Sequence, residues 1–192
     1  MKLGKIAEMK TGLVLTRKKA EIKYDIKEKY NLITLNNIET DGVFNEEPFE
    51  IFSSNAKLDS QYFTEEEDIL IRLNQPNTAV YINKDKVGLL VPSYFAIIKV
   101  KSEKFVPKYI AWYLNSDRFK RELSRYQAGT VIPTTNISIL KSINIKDISI
   151  EKQEQIAKLQ ELHLKEKYLY KKLIEEKEKY HKAVANKLLE KI

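Results

Sequence analysis

Between residues 150 and 192 the chain contains neither glycine nor proline, and Glu, Lys, Gln and Leu dominate. These residue types lose little side-chain freedom in a helix. Ser149 stands where an N-cap belongs, and Glu151 falls in the first turn, where a carboxylate meets the positive end of the helix dipole. Ile156, Leu159, Leu162, Leu169, Leu173, Tyr180, Val184 and Leu188 follow one another at spacings of three, four or seven, which traces a single stripe. At about 1.5 Å per residue the helix spans roughly 60 Å, longer than a small domain is wide. Much of the stripe therefore has no surface of its own chain to bury against, and a helical partner is expected.

Residues 1–148 carry a different, mixed pattern. The expected fold class is α+β: a mixed α/β domain over 1–148, followed by one long helix over 149–192 that forms a coiled coil. Leu32 to Leu35 is a strand-like run, and Glu39-Thr40-Asp41-Gly42 is a turn. Ile69 to Leu73 alternates, with Ile69, Ile71 and Leu73 on one face and Arg72 and Asn74 on the other. Val80–Ile82 and Val87–Val91 flank Asn83-Lys84-Asp85-Lys86 as a hairpin would. A further strand runs from Tyr94 to Val100, with Tyr94, Ala96, Ile98 and Val100 on one side. Pro107 suits the first position of a helix, and Ser116 suits the cap of a second helix carrying Phe119, Leu123 and Tyr126. A loop follows from Gln127 to Thr135. A short helix near Ile137–Leu140 and an Ile143–Ile145 strand close the domain. Trp112, Tyr109 and Tyr113 are read as core.

The net charge of +7 and pI near 9.2 favour an anionic partner, although a chain rich in Lys, Ile, Asn and Tyr gains some positive charge from that composition alone. The charge is unevenly placed. Residues 37–68 hold one basic and ten acidic side chains, between two basic segments, so a positive and a negative face are expected. Cysteine is absent, which excludes disulfides and thiolate metal sites and fits a cytoplasmic setting. No apolar run is long enough to cross a membrane, and the N-terminus lacks the apolar stretch of a signal peptide.

The residue inventory argues against an enzyme. His163 and His181 are the sole histidines, and five helical turns part them by roughly 27 Å, too far to share a metal. No glycine-rich phosphate cradle and no G-x-S-x-G elbow is present. Glu65-Glu66-Glu67-Asp68 reads as a solvated turn before it reads as a cation site.

DNA contact needs long cations for phosphates and forked or amide side chains for base edges. Arg17, Lys18 and Lys19 form the densest basic cluster before residue 149, either a phosphate contact or a solvated turn. Arg72, Asn74, Gln75, Asn77 and Thr78 gather base-reading side chain types after a strand, with Pro76 stiffening the loop. A plain polar connection is the alternative. Thr130, Thr134, Asn136 and Tyr94 are weaker candidates. Arg118 and Arg121, with Arg125, form a basic helix stripe that otherwise reads as a solvated outer face.

Several segments resemble the target-recognition domains of type I restriction-modification specificity subunits. They are Lys2-Leu3-Gly4-Lys5-Ile6-Ala7-Glu8-Met9-Lys10-Thr11-Gly12, Asp68-Ile69-Leu70-Ile71-Arg72, and the stretch from Phe105 to Ser116. Ala128-Gly129-Thr130-Val131-Ile132-Pro133, followed by Ile139-Leu140 and Ile143-Asn144-Ile145, continues the likeness, as does Ser149 to Ala157 at the start of the spacer helix. That start usually carries paired prolines, and this chain has none. The order and spacing cover essentially the whole chain. Full-length members hold two recognition domains and two spacer helices, so this chain resembles a half subunit. The resemblance implies a non-catalytic subunit that binds one half of a bipartite site in double-stranded DNA. Two copies would pair their helices antiparallel. An adenine methyltransferase subunit, which binds S-adenosylmethionine, and a restriction subunit would supply the chemistry; no cofactor is expected on this chain. A standalone DNA-binding regulator or antagonist of the same fold, and a purely protein-interaction coiled-coil subunit, remain the alternatives.

Overall fold

The computed structural model describes residues 1–127 and 134–189. Its centre is a four-stranded antiparallel sheet in the order β1 (Ala7–Thr11), β6 (Phe95–Val100), β4 (Ile69–Arg72), β5 (Ala79–Tyr81). Strands β2 (Glu28–Leu32) and β3 (Glu50–Ser54) make a separate two-stranded ribbon. Helices α1 (Pro107–Asn115), α2 (Asp117–Gln127) and α3 (Ile137–Ser142) follow, then α4 (Ile150–Leu189). No helix among the described residues is long and apolar enough to cross a membrane. The mixed domain and the long C-terminal helix both match expectation.

Alternation decides which side of the sheet each strand residue serves. Ile69, Ile71, Ala96 and Ile98 pack under Tyr109, Ile110, Tyr113, Leu114, Phe119 and Leu123 from α1 and α2. Leu70, Val80, Phe95 and Ile97 face the other way, against Ile33, Ile38, Leu89 and Val91. Both faces are therefore buried, and each large side chain fully removed from water contributes about 1.5–3 kcal/mol. Tyr109 and Tyr113 are core, as expected, and Trp112 is half-buried at its edge. Pro107 opens α1, and Ser116 Oγ accepts the Phe119 N–H at 3.3 Å at the start of α2. Glu39 to Gly42 is the expected turn. The Gly42 N–H donates to the Glu39 carbonyl at 3.0 Å, and Gly42 has φ +81°.

Five local expectations fail, each where tertiary contacts decide. The strand at 32–35 is β2, ending at Leu32, and Leu35–Asn37 is a 3-10 turn. Val80–Ile82 does not form a hairpin with Val87–Val91: β5 pairs with β4, and Leu90 bridges Leu32 and Phe63. The Ile143–Ile145 segment makes a single bridge, Asn144 to Lys2, although Ile143 and Ile145 are buried. Tyr126 is exposed, unlike Phe119 and Leu123, because α2 leaves the core at its C-terminal end. Tyr94 also departs from the alternation. It precedes β6 and packs with Phe95 on the opposite face from Ala96 and Ile98.

The acidic segment 37–68 does not form one uninterrupted negative face. Asp68 is buried, and with Glu65 it holds the Lys99 ammonium at 3.4 and 2.6 Å. Burial pushes the Asp68 carboxyl up, while the hydrogen bond from Lys99 holds that of Glu65 down. Glu39, Asp41 and Glu46 turn toward α4.

Candidate nucleic-acid interface

Most of the candidate base-reading residues meet where β4 runs out. Arg72 ends the strand opposite Phe95. The next residues loop back, and the Arg72 N–H donates to the Thr78 carbonyl at 3.0 Å. Inside that loop the Asn77 N–H donates to the Asn74 carbonyl, and the Asn77 side-chain amide donates to the Arg72 carbonyl, both at 3.0 Å. Asn77 adopts φ +53°, a left-handed conformation that Asn tolerates better than most residues. The tip, Asn74-Gln75-Pro76, is exposed.

Two remote stretches join this loop. The Leu73 N–H donates to the Tyr94 carbonyl at 2.9 Å, and the Thr135 N–H to the Leu73 carbonyl at 2.7 Å. Asn74 and Thr134 form an antiparallel bridge. The Tyr94 hydroxyl donates to the Ile33 carbonyl at 3.3 Å. Burial raises the Tyr94 pKa and the charge of Glu50 adds to the rise, while the Arg72 guanidinium opposes both. Asn136 spends its side-chain oxygen on the Ile139 N–H at 3.0 Å, capping α3, which leaves its amide NH2 as the outward group. Arg72, Asn74, Gln75, Tyr94, Thr134 and Asn136 thus occupy one edge of the domain, beyond the ends of the two central strands. Arg72 Nε, Thr78 Oγ1 and Thr135 Oγ1, all at this junction, are buried without a hydrogen-bond partner among the described residues.

Two candidates do not project from that edge. Asn77 and Thr78 are 4% and 1% exposed, because they close the loop from inside. Their role is to hold Arg72 and the tip in place. Thr130 lies outside the described residues.

Arg17, Lys18 and Lys19 are all exposed on a 3-10 turn that starts at Leu15. The turn is fastened to β3: the Asn55 N–H donates to the Lys18 carbonyl at 2.9 Å, and the Ala20 N–H to the Ser53 carbonyl at 3.0 Å. Just upstream, the Ser93 N–H donates to the Leu13 carbonyl at 2.8 Å, next to Tyr94. A continuous backbone path therefore runs from the basic turn to the Arg72 loop. Gly12 makes that path possible, since a Cβ there would stand 2.3 Å from the Val91 carbonyl oxygen. Arg118, Arg121 and Arg125 are exposed on the outer face of α2 and line a shallow surface of their own with Glu122 and Tyr126. Arg118 lies beside the Tyr113 phenol, whose pKa burial raises and this cation lowers.

The long helix is joined to the domain by residues that pattern reading missed. Gln153 is fully buried. Its Oε1 accepts the Val106 N–H at 2.9 Å, and its amide donates to the Lys104 and Ile148 carbonyls at 2.8 and 2.9 Å. Ala157 is also buried, and Lys108 faces Glu161 at 3.9 Å; Ile156, expected at the head of the partner-facing stripe, is instead partly buried against the domain core, because it stands on the turn of α4 that meets the domain. Farther along, Lys167 pairs with Asp41, Lys171 with Glu39 at 3.2 Å, and Lys172 with Glu46 at 3.3 Å. The rest of the expected stripe is left outside. Leu159, Leu162, Leu169, Leu173, Tyr180 and Leu188 are each more than half exposed, and Val184 is 38% exposed. The signal that would have found the docking face was present: an acidic stretch of 37–68 facing lysines spaced along one side of the helix.

No protein-family model matches this sequence, and no curated protein matches it. Solved structures do resemble it in fold. The HsdS subunit from Thermoanaerobacter tengcongensis aligns with 88% of this chain and 43% of its own length, with a TM-score of 0.65 and 14% identity. The type I restriction-modification S subunit from M. genitalium aligns with 90% of this chain and 40% of its own, at a TM-score of 0.55 and 15% identity. A chain from a structure describing assembly and conformational transition of the type I R-M system aligns with 86% of this chain and 38% of its own, at 0.57 and 12%. This chain spans about two fifths of the length of each. Its fold is the one found in part of the S subunits of type I restriction-modification systems.

Proposed function

We propose that this chain is the DNA-specificity component of a type I restriction-modification system and that it reads one half of a bipartite target. The observation that carries this reading is the meeting of Arg72, Asn74, Gln75, Tyr94, Thr134 and Asn136 on one edge, linked by backbone hydrogen bonds to the basic turn at Arg17–Lys19. Arg and Asn or Gln match guanine and adenine edges in the major groove, and the exposed cations suit phosphates. Two copies joined through α4 would present two such edges to a twofold-symmetric, interrupted site. The chain then supplies the address and no chemistry. An adenine methyltransferase subunit with its S-adenosylmethionine, and a restriction subunit, would act on the DNA it selects, in the cytoplasm.

The test is co-expression with an adenine methyltransferase subunit, followed by mapping of methylated adenines. Methylation confined to one bipartite sequence is expected. Arg72→Ala is expected to cost about 1–3 kcal/mol of discrimination at one base position while leaving the other positions selective. Random methylation, or none in an assembled complex, refutes the reading. Sequence-specific DNA binding without methyltransferase recruitment would instead identify a standalone regulator.

A further inference from the structure

The outer face of the β2–β3 ribbon is left uncovered. The register sets Lys29 opposite Ser53 and Asn31 opposite Ile51. Alternation sends these four side chains to one side, while Tyr30, Leu32 and Phe52 pack on the other with Leu13, Leu58 and Leu90. Lys29, Asn31 and Ile51 are exposed, Ile51 by 60%. Asn37, Asn77 and Asn115 spend their side chains on backbone groups. The Asn31 side-chain amide makes no hydrogen bond among the described residues and lies open to solvent. The cations around it are equally unengaged. Arg17, Lys18, Lys19, Lys23, Lys27 and Lys29 form no ion pair among the described residues, whereas Lys99, Lys167, Lys171 and Lys172 each hold a carboxylate. The ribbon also has a defined place. At one end Lys19 bridges Ser54, and the Lys27 N–H donates to the Ser54 carbonyl at 2.8 Å. At the other end Leu32 bridges Leu90, and the Ile33 carbonyl accepts the Tyr94 hydroxyl. The ribbon therefore spans the interval between the basic turn and the edge that carries Arg72. Tyr24, 92% exposed, stands on the connection from that turn to β2.

We propose that this ribbon enters the major groove as a second base-reading element, in which Asn31 and Ile51 together select an A·T pair. The proposal rests on the DNA-binding role advanced above and adds the element, the residues and the base pair. The major groove is about 12 Å wide and admits a two-stranded ribbon. Five residues of β2 extend about 13 Å, comparable to that width. In the groove an A·T pair shows the N6 donor and N7 acceptor of adenine and the methyl group of thymine. A carboxamide with both sides unengaged matches the first, and an exposed branched aliphatic side chain matches the second. Residues directly opposite on paired strands have Cβ atoms about 4.5–5.5 Å apart, so Asn31 and Ile51 can address one base pair together. A G·C pair offers two acceptors on guanine and no methyl group, so it would forfeit one hydrogen bond and the apolar contact. Lys29 shares their face and suits a neighbouring phosphate.

The parent's target is first mapped by adenine methylation, and duplexes carrying it are made with deoxyuridine in place of each thymine in turn. Each replacement removes one methyl group and keeps the pairing. One of them is expected to weaken binding of the parent about fourfold, the worth of a methyl group, and to leave binding of Ile51→Ala unchanged. In methylation mapping, Asn31→Ala is expected to relax selection at that same A·T position about tenfold, with the position that depends on Arg72 unaffected. Lys29→Gln is expected to weaken binding to every sequence alike and to flatten its salt dependence. All three side chains are exposed, so thermal unfolding of the variants should match that of the parent. A selective parent whose selection survives both Asn31→Ala and Ile51→Ala at every position overturns the ribbon's role and leaves the proposed function standing. Relaxation at a G·C position overturns the assigned base pair. A parent that selects no sequence overturns both.

Discussion

Replacing Gln153 by Ala tests how the rod is held. The Gln153 side chain is fully buried at the root of α4 and makes three hydrogen bonds, to Val106, Lys104 and Ile148. At about 1 kcal/mol net per bond, Gln153→Ala is expected to cost about 3 kcal/mol, and more if the abandoned groups stay dry. That is a large share of the 5–15 kcal/mol typical of a whole domain. Urea unfolding followed by the fluorescence of Trp112, the sole tryptophan, reads the loss; that ring lines the cleft between α1 and α4. Gln153→Glu sharpens the test. Its carboxylate keeps the bond from Val106 but faces the Lys104 and Ile148 carbonyl oxygens, so its folded-state pKa is raised. A raised pKa means stability that is full below the unfolded-state value of about 4.3 and is lost as pH rises through the folded-state value. Gln153→Glu should therefore lose stability from acid to neutral pH relative to the parent. If Gln153→Ala unfolds within about 0.5 kcal/mol of the parent, the side chain does not lock the joint.

Gly42→Ala is expected to destabilise the domain by about 1–3 kcal/mol. Its Cβ would stand 2.3 Å from the Ala79 carbonyl oxygen at φ +81°, and the shift would loosen the acidic turn from Lys167 and Lys171, measurable as altered Trp112 emission. Replacing Arg17, Lys18 and Lys19 together by Ser is expected to weaken DNA binding uniformly across sequences. The plot of log affinity against log salt should flatten by about 0.9 for each phosphate no longer neutralised, and an unchanged slope would exclude the turn from the interface.

The candidate edge was partly legible. Arg72, Asn74 and Gln75 sit where an alternating strand stops, a local feature, and Asn74 and Gln75 are exposed as the loop pattern implies. Asn77 and Thr78 belong to the same run of polar residues, yet they are interior because the loop closes on itself through Asn77 and the Thr78 carbonyl. That Thr134 and Tyr94 flank the same loop depends on pairings across about sixty and about twenty residues of chain, which no window of sequence contains.

The sequence by itself determined the long helix, its uncovered stripe, the starts of α1 and α2, and the alternation of β4 and β6. Caps, proline and hydrophobic period act within a few residues, so the chain carries them locally. Tertiary structure alone decided that β5 pairs with β4, that Gln153 anchors the rod, and that Glu39, Asp41 and Glu46 meet its lysines. Strand partners and ion pairs form between groups far apart in the chain, and their choice depends on which surfaces the whole fold brings together.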